Sequence, residues 1–252
     1  ILYMSLTPRT PILSVKNLSI RYPQSLKPAV DNISFDVFPG EVLGILGGNG
    51  AGKTSSLKAI AGVLPYEKNT SILVNGYQLT NLEEKESARS LIGYCPDTGG
   101  LIRQATVEDH ISLILANNSD INNLNAYGIV EKMGLTEHIK KEAGSFSHGM
   151  SRRLSVILAT LNAKKLLILD EPFDGVDPLG VEAIQEIIEL AKSEGLGIII
   201  STHLLSLLAE TSDRILVMNR GRVIAEENKQ FFTNADASNK YAELLKLDNN
   251  NI

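Results

Sequence analysis

The octapeptide Gly47-Gly48-Asn49-Gly50-Ala51-Gly52-Lys53-Thr54 constrains this chain more than any other stretch. Its spacing is G-x-x-x-x-G-K-[ST]. Before it runs Glu41-Val42-Leu43-Gly44-Ile45-Leu46, an apolar run of strand length. After it runs Ser55 to Val63, with Leu57, Ile60 and Ala61 on helical spacing. Strand, glycine-rich loop and helix are the context in which this spacing forms a phosphate-binding loop. Glycines let the backbone turn tightly, so that consecutive N–H groups converge on anionic oxygens. The helix start adds the positive end of its dipole. On this reading Gly47, Asn49, Gly50, Ala51, Gly52, Lys53, Thr54 and Ser55 hold the phosphates of ATP. Lys53 reaches the β- and γ-phosphates, and the Thr54 hydroxyl holds Mg²⁺. The alternative is a glycine-rich turn that merely precedes a lysine, and the flanking strand and helix argue against it.

The remaining pattern is α/β. Ile12 to Tyr22 alternates in part, and Ile33 to Phe38 alternates cleanly, so both read as strands. Pro39-Gly40 turns the chain into the strand before the phosphate loop. Ser71 to Val74 is a further strand, ending at the turn signal Asn75-Gly76, and Leu91 to Tyr94 is another. Up to this point one helix is expected. Composition then shifts. Val107 to Ala116, Ala126 to Met133, Leu135 to Lys141 and Ser151 to Leu161 carry helical spacing, with an asparagine-rich loop at 117–125 and a break at Gly134. Buried strands are expected at Leu166 to Leu169 and Gly197 to Ile200, separated by a helix from Val181 to Ser193. Leu204 to Glu210 reads as helical. Ile215 to Met218 and Val223-Ile224 form a hairpin through Asn219-Arg220-Gly221. The polar tail carries a helix at Lys240 to Leu247.

Length and charge bound the function. A chain of 252 residues suggests one domain, or one domain with an inserted lobe. A net charge of −5 gives no support to non-specific nucleic-acid binding. The single cysteine, Cys95, excludes an internal disulfide and a cysteine-rich metal site. No apolar run approaches the roughly 20 residues that span a bilayer, and the opening stretch lacks the layout of a secretory signal.

The second nucleotide feature is Leu166-Leu167-Ile168-Leu169-Asp170-Glu171. An apolar strand that ends in a carboxylate places Asp170 beside the phosphate loop, where it would bind Mg²⁺ directly or through water. Glu171 turns to the other side and is the candidate to polarise the attacking water. Three further segments follow the same order along the chain: Phe146-Ser147-His148-Gly149-Met150, Phe173-Asp174-Gly175-Val176-Asp177 and Ser201-Thr202-His203. Together the five resemble the nucleotide-binding domain of an ATP-binding-cassette (ABC) transporter, from about Ile12 to Glu226.

That resemblance implies a fold and a set of roles. The fold is an α/β P-loop NTPase core with a mostly parallel sheet, an N-terminal antiparallel β part and an inserted helical subdomain. Residues 12–96 and 165–225 would form the core, 97–164 the helical subdomain, and 226–252 a C-terminal tail. Ser147, Gly149 and Met150 would cap the γ-phosphate of an ATP held by a partner subunit. Tyr22 would stack on adenine, His203 would contact the γ-phosphate, and Asp177 would lie in the segment that crosses to the partner.

The chain departs from the family pattern at three places. Asp97 stands where the family has glutamine, at the metal side of the site. Its oxygen would keep the metal contact at shorter reach, or its charge would weaken ATP binding. His148 replaces a glycine of the signature, and Phe173 replaces a hydroxyl residue and is expected to pack. The expected function is an ATPase subunit that dimerises, with itself or a related subunit, around two Mg-ATP. It would drive export of a drug, peptide, lipid or polysaccharide through a separate permease, at the cytoplasmic face of the cell membrane. The form Ser-x-Gly-Met followed by Arg152-Arg153-Leu154 resembles export cassettes, and the short tail leaves no room for an added regulatory domain. The alternatives are an uptake subunit, a soluble cassette ATPase and a phosphoryl-transferring kinase.

Overall fold

Alternating apolar residues build the first sheet. In the computed structural model, which describes residues 9–117, 126–232 and 237–250, β1 (Leu13–Ile20) and β2 (Val30–Val37) pair antiparallel. The alternation slips by one residue between Val15 and Leu18, where Asn17 adopts φ +53° and the register shifts. That bulge is why β1 alternates only in part along its sequence. β3 (Val42–Leu46) leads into the phosphate loop and α1 (Lys53–Ile60). β4 (Ser71–Val74) pairs with the free side of β1, and β5 (Tyr77–Gln78) folds back on it. Asn75 and Gly76 between them have φ +49° and +87°, as a two-residue hairpin turn of the primed type requires. The order of this sheet is β2-β1-β4-β5.

A short helix, α2 (Lys85–Arg89), follows and was not expected from sequence. It has five residues and buries only Ala88, too little to show a period. β6 (Ile92–Cys95) then opens the long helical stretch, which contains α3 (Val107–Asn117), α4 (Ala126–Lys132) and α5 (His148–Asn162). The expected helix at Leu135 to Lys141 is only a 3₁₀ turn, Thr136–His138. The asparagine-rich loop lies, from residue 118, outside the described residues. After β7 (Leu166–Asp170) come α6 (Pro178–Ser193), β8 (Gly197–Thr202), α7 (Leu205–Thr211) and the hairpin of β9 (Arg214–Asn219) with β10 (Arg222–Asn228). The tail is less loose than its polarity suggests. α8 (Lys229–Phe232) buries Phe232, and α9 (Ala237–Asn250) lays Tyr241 and Leu244 against the core.

Two helices begin three residues earlier than their apolar spacing indicates. Ser147 caps α5 by accepting a bond from the Met150 N–H at 3.2 Å. Asp177 caps α6 by accepting from the Gly180 N–H at 2.8 Å, with Pro178 in the first turn. Hydrophobic periodicity does not register such caps.

The second sheet has the order β10-β9-β3-β8-β7-β6, and all of it is parallel except the β10 edge. Every residue of β3, β7 and β8 is buried. Side chains of period two then fall into two separate cores. Leu43, Ile45, Leu166, Ile168 and Ile199 point toward the antiparallel sheet and α1. Val42, Leu46, Leu167, Leu169, Ile198 and Ile200 point toward the helices. The parallel sheet is the wall between them, and its carboxyl-terminal edge carries the phosphate loop, Asp170 and His203.

α5 lies directly on β6 because Gly93 has no side chain. A Cβ there would sit 1.9 Å from the Ala159 carbonyl oxygen and 2.8 Å from the Ala163 Cβ. Gly93→Ala is expected to lower unfolding stability by about 3 kcal/mol, the upper range for forcing a methyl into packed backbone. Urea denaturation measures this. A loss well below about 1 kcal/mol would mean that α5 slides freely on the sheet.

Candidate functional site

The phosphate loop is held from behind and open in front. A Cβ on Gly47 would lie 2.6 Å from the Met218 carbonyl oxygen, and one on Gly52 would lie 2.6 Å from that of Ala29. Gly52 also needs φ +102°. Gly48 and Gly50, by contrast, have open space where a side chain would be. They face a cavity of about 360 Å³ lined by residues 48–55 together with Asp97, Glu171, Asp174 and His203. Gly47 stands behind this lining, where its carbonyl accepts from Lys53 Nζ at 2.7 Å.

Asp170 is wholly buried at the end of β7. Its Oδ1 accepts from the Ser201 hydroxyl at 2.6 Å and the Thr54 hydroxyl at 3.2 Å. Its Oδ2 is buried with no hydrogen-bond partner. Burial holds the carboxyl above the ordinary aspartate range, against the pull of the two hydroxyl bonds, and the nearby Asp97 and Glu171 charges push it further up. An orphaned carboxylate oxygen beside an anion cradle suits a hard divalent cation. Among the described residues, no cluster of three His, Cys, Asp or Glu side chains forms a metal cage. Mg²⁺ does not need one, since it binds through one or two protein oxygens, substrate phosphates and water. Thr54 and Asp170 therefore fit Mg²⁺ that arrives with a nucleotide.

Glu171 points elsewhere because its backbone is left-handed, with φ +49°. A non-glycine residue there costs about 1–3 kcal/mol, and such residues cluster at functional sites. Its N–H is held by the Ser201 carbonyl at 3.0 Å. The turn brings its Oε1 to 3.2 Å from Lys53 Nζ and its Oε2 to 3.2 Å from His203 Nδ1. Lys53 is only 5% exposed, so its charge is balanced within the chain by Glu171 and the loop carbonyls.

Other expected residues stand apart from this cavity. Ser147, Gly149 and Met150 do not line it. They start α5 against the 173–177 loop, where a Cβ on Gly149 would meet the Gly175 carbonyl at 2.8 Å. His148, the departure from glycine, turns to that loop as well, with Nε2 3.2 Å from Asp174 Oδ2. Tyr22 is also outside the cavity lining. Its hydroxyl lies 3.0 Å from Ser55 Oγ, and its ring is partly exposed just beyond β1. Phe173 is buried in the helical core, as expected. Asp97 does line the cavity, and its Oδ1 lies 3.5 Å from an Arg152 nitrogen.

Sequence reasoning assigned no site role to Gly48, Asp174, Ser201 or Arg152. Gly48 was within the motif. Ser201 had a usable signal, a hydroxyl at the end of a buried strand, and the register pairs it with Asp170. Arg152 and Asp174 lay within segments singled out above, but their places at the site come from tertiary contacts that those segments do not encode.

The raised Asp170 carboxyl has a consequence for stability. The folded chain binds this proton more tightly than the unfolded chain. Stability is therefore expected to fall as pH rises through the range just above the ordinary aspartate value. Asp170→Asn should remove that dependence and stabilise the nucleotide-free chain at neutral pH by about 1 kcal/mol, while weakening binding of the Mg²⁺–nucleotide pair. Urea unfolding at several pH values reads the first effect and calorimetric titration the second. Destabilisation at neutral pH would show that burial of the charge is not the dominant cost.

Comparison with known proteins accords with this geometry. The family model described as ABC transporter matches residues 30–174. The ABC-type transporter ATP-binding protein EcsA of Bacillus subtilis (strain 168) is 31% identical over 255 residues, covering 94% of this chain and 98% of that protein. The lipopolysaccharide export system ATP-binding protein LptB of Escherichia coli (strain K12) is 32% identical over 218 residues, covering 84% and 89%. A solved structure of the ATP-binding subunit of an ABC transporter superposes with a TM-score of 0.81 at 29% identity, covering 93% of this chain and 99% of that one. The chain belongs to the ABC transporter family, as one of its ATP-hydrolysing cassettes.

Proposed function

We propose that the chain powers an exporter, closing in pairs on two Mg-ATP and acting on a separate membrane-spanning subunit at the cytoplasmic face of the cell membrane. One observation carries the pairing. The phosphate cavity contains Lys53, Glu171 and His203, whereas Ser147 and Gly149 of the same chain lie outside it. A donor-rich helix start that cannot serve its own nucleotide is suited to a second copy's. In this reading Ser147, Gly149 and Met150 cap the γ-phosphate bound by the partner, and Tyr22 stacks on adenine. No helix among the described residues is long and apolar enough to cross a membrane. The reading assigns the conduit to another chain, docked in the groove between the 97–103 segment and α5. Residues 97–164 would then move as one subdomain against the core.

Within each site the roles follow from charge. Residues 48–55 bind the phosphates. Thr54 and Asp170, with Asp97 beside them, hold Mg²⁺, which neutralises phosphate charge when bound. An arriving phosphate takes Lys53 from Glu171, and the freed carboxylate accepts a proton from water as it attacks. His203 remains hydrogen-bonded to Glu171 and orients it. Export is favoured by the Ser-x-Gly-Met start of α5 with Arg152-Arg153-Leu154, and by the export system that the name of LptB records.

Glu171→Gln should lower ATP turnover by at least about 100-fold while ATP still binds, since it removes a proton acceptor but little volume. A phosphate-release assay with a parallel binding titration checks this. Turnover within a few-fold of the parent would remove Glu171 from the chemistry. Purification of the tagged chain from solubilised membranes should bring down a stoichiometric membrane-spanning protein. Recovery of soluble partners only, with ATP present, would leave the ATPase without the transporter.

A further inference from the structure

Arg152 is a buried cation, 4% exposed, inside the one helix that also carries the Ser147 segment. A side chain at this depth is costly unless its donors and charge are both matched. One terminal nitrogen donates to the Pro96 carbonyl at 2.7 Å and reaches the Asp170 carbonyl at 3.4 Å. The other donates to the Asp97 carbonyl and lies 3.5 Å from Asp97 Oδ1. Its Nε has no partner. Among the described residues, Asp97 is the only carboxylate within ion-pair distance of this guanidinium. The planar fork thus ties together three elements: the segment after β6, the end of β7 and helix α5. A lysine offers a point charge and could not span these carbonyls in the same way.

This arrangement bears on the aspartate at position 97. A carboxylate at the edge of a triphosphate cavity repels the ligand unless its field is cancelled nearby. Arg152 stands on the protein side of Asp97 and makes the pair neutral. We propose that Arg152 is a positioning residue, which fixes Asp97 beside the phosphate cavity and supplies the counter-charge that lets a carboxylate stand there. The inference rests on the Mg-ATP reading of the cavity. It adds a division of labour: Arg152 holds the Asp97 backbone and stands beside its Oδ1, while the Asp97 residue lines the cavity.

The experiment is a double-mutant cycle on the full chain, read by ATP affinity with Mg²⁺ chelated. Arg152→Met should weaken metal-free ATP binding by about tenfold, the size expected for one uncompensated charge near the phosphates. Adding Asp97→Asn should recover most of that loss, because the repelling charge goes with it. A purely structural arginine would lower the melting temperature in both backgrounds without this specific recovery. An equal loss of affinity with and without Asp97→Asn overturns the proposal. Arg152→Lys tests the same idea with the charge retained and covers the case in which Arg152→Met does not fold. It should lose less metal-free affinity than Arg152→Met, yet raise the Mg²⁺ concentration for half-maximal ATP turnover several-fold, as Asp97 loses its fixed place. An unchanged Mg²⁺ requirement overturns the positioning role. Lys53→Ala separates this inference from the functional reading. Parent-like ATP affinity in that variant would defeat the phosphate-loop assignment, whereas the cycle alone judges Arg152.

Discussion

The site depends on surrounding the buried Lys53 ammonium with oxygens. A cation at this depth is costly unless anionic or carbonyl oxygens match its donors and charge. Here they come from its own loop, through Gly47 and Gly48, and from Glu171 at 3.2 Å. The sheet order makes that pairing possible. β3, which carries the loop, and β7, which carries the carboxylates, are separated by β8 alone. Neighbouring strands lie about 4.8 Å apart, so the two strand ends stand roughly 10 Å apart, a gap that side chains can bridge. β8 fills the space with Ser201, which holds both the Asp170 carboxylate and the Glu171 backbone.

The two carboxylates are adjacent in sequence and opposite in environment. Asp170 continues the strand and is buried at its end, where burial disfavours its charge. Glu171 leaves the strand through a left-handed turn and meets a lysine and a histidine. One backbone angle therefore separates a group suited to a cation from a group suited to handling a proton. The turn is affordable because the strands beneath it are buried on both faces, which leaves their ends little freedom to relax.

Much of this was readable along the chain, and the limits have physical causes. The phosphate loop is local: eight consecutive residues with a strand before and a helix after, and the structure places them so. Buried strands such as Leu166 to Asp170 announce themselves by continuous apolar runs. Helix starts at His148 and Pro178 were read late, because their caps are single polar bonds and not periods. α2 was too short to read, and the packing of α9 on the core depends on a few apolar residues in a polar tail. At the site, Asp97 was recognised as a departure, but its sign could not be decided from sequence. Its oxygen argued for a retained metal contact and its charge against ATP binding. The group that the fold sets beside it is Arg152, 55 residues away and brought there by the crossover from β6 to β7.

Several groups of the single chain are satisfied by contacts that a nucleotide and a second copy would replace or add to. Lys53 is neutralised by Glu171, and the Ser147 oxygen accepts the bond that caps its own helix. Neither interaction leaves a strongly exposed, unsolvated charge waiting for ligand. In the proposed cycle, phosphate binding exchanges one ion pair for another at Lys53, while the Ser147 oxygen keeps its cap bond and its own O–H is left to donate to phosphate. Such steps cost little net free energy, since the contact broken at Lys53 is matched by one of the same kind and the cap need not break. The larger energies then lie in surface buried between the two copies and in its release after hydrolysis. In that proposed cycle the contacts that tie down the start of α5 carry the most weight. Arg152 to the Asp97 segment, Gly149 to Gly175 and Arg153 to Asp177 all converge on the first turns of this helix. In the proposed cycle, a helix start so tied would move toward a second nucleotide only by pulling on the Asp97 segment beside its own cavity.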